Sequence, residues 1–209
     1  SDVAIGPDGA VYVLEPERDG AQHFSADGQY RGRIGEGLGL YRPRDLTVDA
    51  SNTLYFANTG GNNIVRASPS GQPLGAIGAA GKGVGQLDQP TGVALDASGT
   101  IYVADTYNQR VQRFTADGRF VAQWPIPAAG TALGPHIAVS PDGVVYVTDP
   151  DNHRFSAYSP EGALLATWGS QGSGDGQFVH PVGIYVDAAG LVYIADAGND
   201  RVQVWGARQ

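Results

Sequence analysis

The stretch PTGVALDASGTIYVADTYNQRVQRFTADGRFVAQW, residues 90–124, decides the fold. It holds four short apolar runs, Val93–Leu95, Ile101–Ala104, Val111–Phe114 and Phe120–Trp124, separated by polar turns. Each run alternates or is β-branched, and each is too short for a helix. Ser98-Gly99 and Asp117-Gly118 stand where hairpin turns are required, because Gly accepts a positive φ. The stretch therefore predicts a four-stranded antiparallel meander.

The pattern recurs along the chain. The residue ending the second strand is Glu15 in YVLE, Asn58 in YFAN, Asp105 in YVAD, Asp149 in YVTD and Asp196 in YIAD, at separations of 43, 47, 44 and 47 residues. A period of this length with four strands per repeat reads as a β-propeller blade. First strands recur as DVAIG, DLTVD, GVALD, HIAVS and GIYVD, and third strands as AQHF, IVRA, VQRF, FSAY and VQVW. The links between units are Gly-rich and end in Pro43, Pro90 and Pro181. The third link departs, with Pro125, Pro127 and Gly134-Pro135. The reading is one all-β domain, residues 1–209, with blades over about 1–42, 43–89, 90–133, 134–180 and 181–209. The fifth copy stops at Trp205-Gly206 without a fourth strand. Five first strands favour five blades, and a six-bladed ring lacking its upstream part is the alternative.

YVAD followed by N-x-R-V-Q-x-F and an x-D-G turn resembles the NHL repeat, and its naming tripeptide stands at Asn152-His153-Arg154. The resemblance runs through five copies and implies a β-propeller. Blades one and two depart most, with Pro16-Glu17-Arg18-Asp19-Gly20 replacing the Asn-x-Arg segment and Asn63 in the arginine slot.

Composition bounds the function. The 209 residues include 31 glycines and no cysteine, so disulfides, thiolate metal sites and a cysteine nucleophile are excluded. The net charge of −8 repels phosphate backbones, and Lys82 is the only lysine, so nucleic acid is not an expected partner. No apolar run reaches membrane-spanning length, so no direct membrane insertion is expected. The lack of any methionine, even at position 1, leads us to expect a domain or processed piece of something longer. The excess of arginine over lysine, with the resemblance, leads us to expect a bacterial, extracytoplasmic setting.

Recurrence separates architecture from chemistry. Glu15, Asn58, Asp105, Asp149 and Asp196 recur in every unit and read as structural turn anchors that accept backbone N–H bonds. Arg110, Arg154 and Arg201 follow five residues later and pair with the same turn or the next blade. Tyr12, Tyr55, Tyr102, Tyr146 and Tyr193 share one register and read as packing between blades. Positions that differ carry the functional expectations. Asp2, Asp45 and His136 begin first strands, and would ring one mouth of the channel as candidate ligands for a divalent metal such as Ca or Zn. Arg44 beside them is a candidate anion or carboxylate binder. Tyr41, Arg42 and Tyr107 lie in loops and complete a candidate ligand-binding surface with Arg44. His23, His153 and His180 fall at different repeat positions and are not expected to converge. No G-x-S-x-G, P-loop or H-E-x-x-H motif is present, and no Lys-Ser/Thr follows the Gly81, Gly83, Gly85 loop. The sequence therefore points to a non-catalytic module, without a cofactor, binding a protein, peptide or glycan. A metal-dependent lyase or hydrolase with its site at the channel is the alternative. A second alternative is an assembly unit, self-associating through the edge of the incomplete last blade.

Overall fold

A computed structural model of the chain describes residues 2–126 and 134–206. It is a five-bladed all-β propeller. Blade 1 holds β1 (Val3–Ile5), β2 (Val11–Glu15), β3 (Gly20–Phe24) and β4 (Tyr30–Ile34). Blade 2 holds β5 (Asp45–Val48), β6 (Leu54–Asn58), β7 (Asn63–Ala67) and β8 (Pro73–Ile77). Blade 3 holds β9 (Pro90–Leu95), β10 (Ile101–Asp105), β11 (Arg110–Phe114) and β12 (Phe120–Pro125). Blade 4 holds β13 (Ile137–Val139), β14 (Val145–Asp149), β15 (Arg154–Tyr158) and β16 (Leu164–Trp168). Blade 5 holds β17 (Pro181–Val186), β18 (Val192–Asp196) and β19 (Arg201–Trp205), three strands among the described residues. Every blade is a sequential antiparallel meander. Pro127, in the third link, lies outside the described residues.

The structure extends the first strand of blade 3 three residues upstream of the apolar run, to Pro90. A register shift at Ala104/Asp105 brings Pro90 opposite Asp105 despite the extra residue. The turns behave as their chemistry requires. In the loop after β9, Gly99 takes φ +81 and donates its N–H to the Asp96 carbonyl at 3.0 Å, while the Asp96 carboxylate accepts from the N–H groups of Ser98 and Thr100 at 2.9 Å.

The inner strands β1, β5, β9, β13 and β17 together line one cavity. Successive blades share hydrophobic cores. Tyr12, Leu14 and Ala21 pack on Leu46, Phe56 and Val65 between blades 1 and 2. Ala57 and Ile64 pack on Val93 and Val103 between blades 2 and 3. Tyr102 and Val111 pack on Ile137 and Val147 between blades 3 and 4. Phe155 packs on Phe178 and Ile194 between blades 4 and 5. Among the described residues no such cluster joins blade 5 to blade 1.

The turn anchors tie the Gly-rich links to the blades. The Asp105 carboxylate is fully buried. It accepts from the Asp88 N–H at 2.7 Å, Arg110 Nε at 2.7 Å, Gln112 Nε2 at 3.0 Å and Asn108 Nδ2 at 2.9 Å. Arg110 then donates to the Gly83 and Gln86 carbonyls of the incoming link, at 2.8 and 2.7 Å. Blade 5 repeats this set at Asp196, which accepts from the Val179 N–H at 2.7 Å, Asn199 and Arg201 at 2.9 Å and Gln203 at 3.1 Å. Arg110 and Arg201 thus pair within their own blades and reach back to the link before them, and Arg154 pairs with Asp149 at 2.9 Å. The Gly-rich loop wraps a glutamine: Gln86 Oε1 accepts the Gly83 N–H at 2.8 Å, and a Cβ on Gly81 would lie 2.3 Å from that oxygen. In blade 2 the neutral Asn58 instead accepts the Tyr41 N–H at 2.6 Å and donates to Asn63 Oδ1 at 2.8 Å. Glu15 of blade 1 accepts from Gln22 Nε2 at 2.8 Å.

Replacing Asp105 by Ala leaves the buried Arg110 cation, the Asp88 N–H and Gln112 without this acceptor. We expect a loss of about 3–5 kcal/mol in urea unfolding, against about 1–3 kcal/mol for Asn58→Ala, where no charge is stranded. Burial opposes ionisation of Asp196, but hydrogen bonds from Asn199, Val179, Arg201 and Gln203 outweigh it and lower its pKa. A lowered folded pKa stabilises fully above the unfolded value and is lost as pH falls through the folded one. Asp196→Asn should therefore flatten the acid limb of a melting-temperature titration.

Candidate functional site: the channel mouth and its rim

Antiparallel pairing brings the start of each first strand, the end of the second and the start of the third to one face of the ring. Pro90, Asp105 and Arg110 stand opposite one another in blade 3. Asp45 stands opposite Ala57 in blade 2, and the His136 carbonyl accepts the Thr148 N–H at 3.0 Å in blade 4. Asp2, Arg44, Asp45 and His136 are therefore on the same face as the 3-10 turns that follow each second strand.

The structure brings Asp2, Asp45 and His136 together at the mouth, with Arg44 close enough to act on His136. The carboxylates have a structural use there. Asp2 Oδ2 accepts the Leu46 N–H of blade 2 at 2.9 Å, and Asp45 Oδ2 accepts the Val93 N–H of blade 3 at 2.7 Å. Asp45 Oδ1 also accepts its own neighbour's N–H, Leu46, at 3.1 Å. Two threonines continue the series around the ring. Thr91 Oγ1 donates to the Pro135 carbonyl at 2.7 Å, and Thr148 Oγ1 to the Val182 carbonyl at 3.0 Å. Among the described residues no group of three His, Asp or Glu side chains is arranged to hold a metal ion. Asp2 and Asp45 thus clasp neighbouring inner strands through their side chains, while His136 enters the pattern through its backbone. The sequence signal missed was the spacing: three of the clasps join positions 44–48 residues apart, about one repeat, and the fourth positions 34 apart.

Electrostatics at the mouth follow from burial. Asp45 is 7% exposed. Burial raises its pKa well above the usual carboxylate value, and the adjacent Asp2 charge and a hydrogen bond shared with Asp2 add to the rise. Desolvation lowers the His136 pKa, with the Asp2 charge opposing and Arg44 adding. Below the mouth, the cavity of about 630 Å³ is walled mainly by aliphatic side chains such as Val48, Leu95 and Val139.

The rim carries the other candidates. Tyr41 is 58% exposed and lies over Gly60, where any Cβ would strike its ring. Tyr107, in the 3-10 turn Thr106–Asn108, is 48% exposed, and its N–H bonds the Asp88 carbonyl at 3.1 Å. Arg42 is exposed, with φ +49, and its N–H is held by Asp19 Oδ1 at 2.6 Å. Arg44 is half-buried. The histidines correct one expectation. His153 and His180 do converge, with ring centroids 5.0 Å apart, and the His180 N–H donates to His153 Nδ1 at 3.2 Å. The left-handed residue after one 3-10 turn and the residue before the next blade's proline meet across each such junction, as Asn62 and Gln89 also do at 2.8 Å. Different repeat positions are thus spatial neighbours. His23 stacks on Tyr12 at 4.7 Å, away from this face.

A folded pKa above the unfolded one stabilises fully below the unfolded value and is lost as pH rises through the folded one, which is the case for Asp45. For His136 the sign is reversed, and stability is lost as pH falls. We expect Asp45→Asn, which keeps an acceptor for Val93 and gains a donor toward Asp2, to hold its melting temperature as pH rises from about 5 to about 9, where the parent falls.

Comparison with known proteins bears on the fold. The NHL-repeat family model matches residues 87–114 and 178–205, the two units with the complete aspartate, asparagine, arginine and glutamine set. No curated protein matches the sequence. A streptogramin B lyase structure is similar, with TM-score 0.74 at 17% identity, over 98% of this chain and 67% of that one. The virginiamycin B lyase of Staphylococcus aureus gives 0.69 at 15%, over 98% and 68%. A gluconolactonase of Xanthomonas campestris gives 0.71 at 19%, over 93% and 68%. At these identities the likeness is one of fold. The chain is a five-bladed β-propeller carrying NHL repeats.

Proposed function

We propose that the chain is a non-catalytic binding module that presents the channel-mouth face to a protein, peptide or glycan partner. The supporting observation is the division of labour on that face. The mouth carboxylates are engaged with backbone N–H groups of the next blade, while the rim holds two tyrosines about half exposed and an exposed arginine on anchored loops. Tyrosine and arginine are the residue types that dominate binding energetics, and a rim whose backbone is already tied down loses little entropy on association. Arg42 and Arg44 add a preference for carboxylate-bearing partners on an otherwise acidic chain. Among the described residues the mouth lacks a three-ligand metal set.

The test is binding to immobilised oligosaccharides and acidic peptides, measured by surface plasmon resonance. Tyr107→Ala and Arg42→Ala should each weaken the captured interaction by about tenfold or more with unchanged melting temperature. Metal-dependent turnover of virginiamycin B or a gluconolactone by the purified protein would replace this reading with the enzymatic one suggested by the lyase and lactonase neighbours.

A further inference from the structure

Three junctions between blades are closed on the mouth face by one small latch. In each, the left-handed residue that ends a 3-10 turn offers a side-chain acceptor to a backbone N–H across the junction. That N–H belongs to the residue before the next blade's proline. Asp19 Oδ1 accepts the Arg42 N–H at 2.6 Å between blades 1 and 2, and Asn62 Oδ1 accepts the Gln89 N–H at 2.8 Å between blades 2 and 3. Between blades 4 and 5 the acceptor is an imidazole: His153 Nδ1 takes the His180 N–H at 3.2 Å. The latched residues share an unusual backbone, with φ +49 at Arg42, +47 at Gln89 and +50 at His180. A residue with a side chain is strained there, and a following proline favours extended backbone instead. Each latch therefore holds a conformation that its local sequence resists.

The change of acceptor changes what a proton does. Carboxylate and amide oxygens accept hydrogen bonds from about pH 5 to about pH 8, whereas an imidazole nitrogen accepts only while it carries no proton. With Nδ1 as acceptor, the one ring proton of neutral His153 sits on Nε2. A second proton would occupy Nδ1 and set it against the His180 N–H, donor against donor. The His180 ring lies 5.0 Å from that of His153 between centroids, so protonation of both places two like charges together. His153 is half-buried and His180 exposed, so solvent protons reach the pair. The charges on the flanking elements are mostly matched. In blade 4, Arg154 pairs with Asp149 at 2.9 Å, and Asp151 shares the 3-10 turn. In blade 5, Arg201 pairs with Asp196 at 2.9 Å, and Asp196 also accepts the Val179 N–H at 2.7 Å. Asp175, on the link, is exposed. We infer that the junction of blades 4 and 5 is proton-sensitive: uptake of a proton by His153 opens its latch on His180, while the Asp19 and Asn62 latches stay closed.

The test is NMR of the nitrogen-15-labelled protein, following solvent exchange at the His180 and Gln89 amides. Rates are divided by their intrinsic values, which removes the pH dependence of exchange itself. From about pH 8 to about pH 5.5, protection at His180 should fall several-fold in the parent while protection at Gln89 holds. His153→Asn restores the acceptor used by Asn62 and tolerates the left-handed backbone, so it should keep His180 protected over the whole range. His153→Ala should leave His180 poorly protected at both ends. Protection at His180 that is independent of pH in the parent, that falls in parallel with Gln89, or that falls equally in His153→Asn overturns the inference. If His153→Asn does not fold, the parent decides alone. The His180 amide proton resonance should move together with the titration of the His153 ring, and a ring that titrates beneath a stationary amide overturns the inference.

Discussion

The buried carboxylate at the end of the second strand, Asp105, Asp149 and Asp196 in blades 3, 4 and 5, is the constraint on which the rest depends. A charge taken out of water needs a full set of donors, and Asp105 obtains Arg110, Gln112 and Asn108 from its own blade and the Asp88 N–H from the link before it. That requirement fixes three things together. It sets the angle at which the chain leaves the 3-10 turn, the path of the Gly-rich link, and the seat of the next inner strand. The glycines of the link follow as a second-order demand, because the loop must close around Gln86 while its carbonyls turn toward Arg110. The same arrangement at Asp196 shows that the device is a unit that can be repeated.

The blades depart from it in graded fashion. Blade 4 keeps Asp149, Asn152 and Arg154 but has Ser156 where blades 3 and 5 have glutamine, and Ser156 turns to Thr167 instead. Its incoming link also lacks the Gly-Gln pattern, as does the link into blade 2, where Val65 replaces the glutamine. Glutamine and link therefore vary together, as the hydrogen bonds of Gln112 and Gln203 to the link carbonyls require. In blade 2 the charge is gone altogether, and Tyr41 is held by a neutral amide.

The fold was legible because strand period, turn glycines and anchor residues all repeat at one spacing, so each copy checks the others. Anchor identity was legible for the same reason. The partners of the anchors were not, since a bond from Arg110 to Gly83 crosses a loop whose path the sequence does not state. At the mouth, residue type alone suggested ligands at Asp2, Asp45 and His136. The bonds from the Leu46 and Val93 N–H groups to Asp2 and Asp45 were not legible, because any sequence supplies such groups. His153 and His180 were missed because proximity across a junction depends on the blade-to-blade angle, which no pattern within one repeat encodes.

The clasps of the inner strands carry a kinetic implication. The longest of them, from Asp45 to Val93, joins residues 48 apart, and the one from Asp2 to Leu46 joins residues 44 apart. Among the described residues no clasp joins the two ends of the chain. Loop closure is thus equally demanding at every junction, and ordering can begin at any adjacent pair of units and spread to either side, as in a one-dimensional array. An interior blade is held from two sides and an end blade from one. Protection against hydrogen exchange is then graded along the polymer, deepest around β9 and β10 and shallowest at the outer strands of the first and last units.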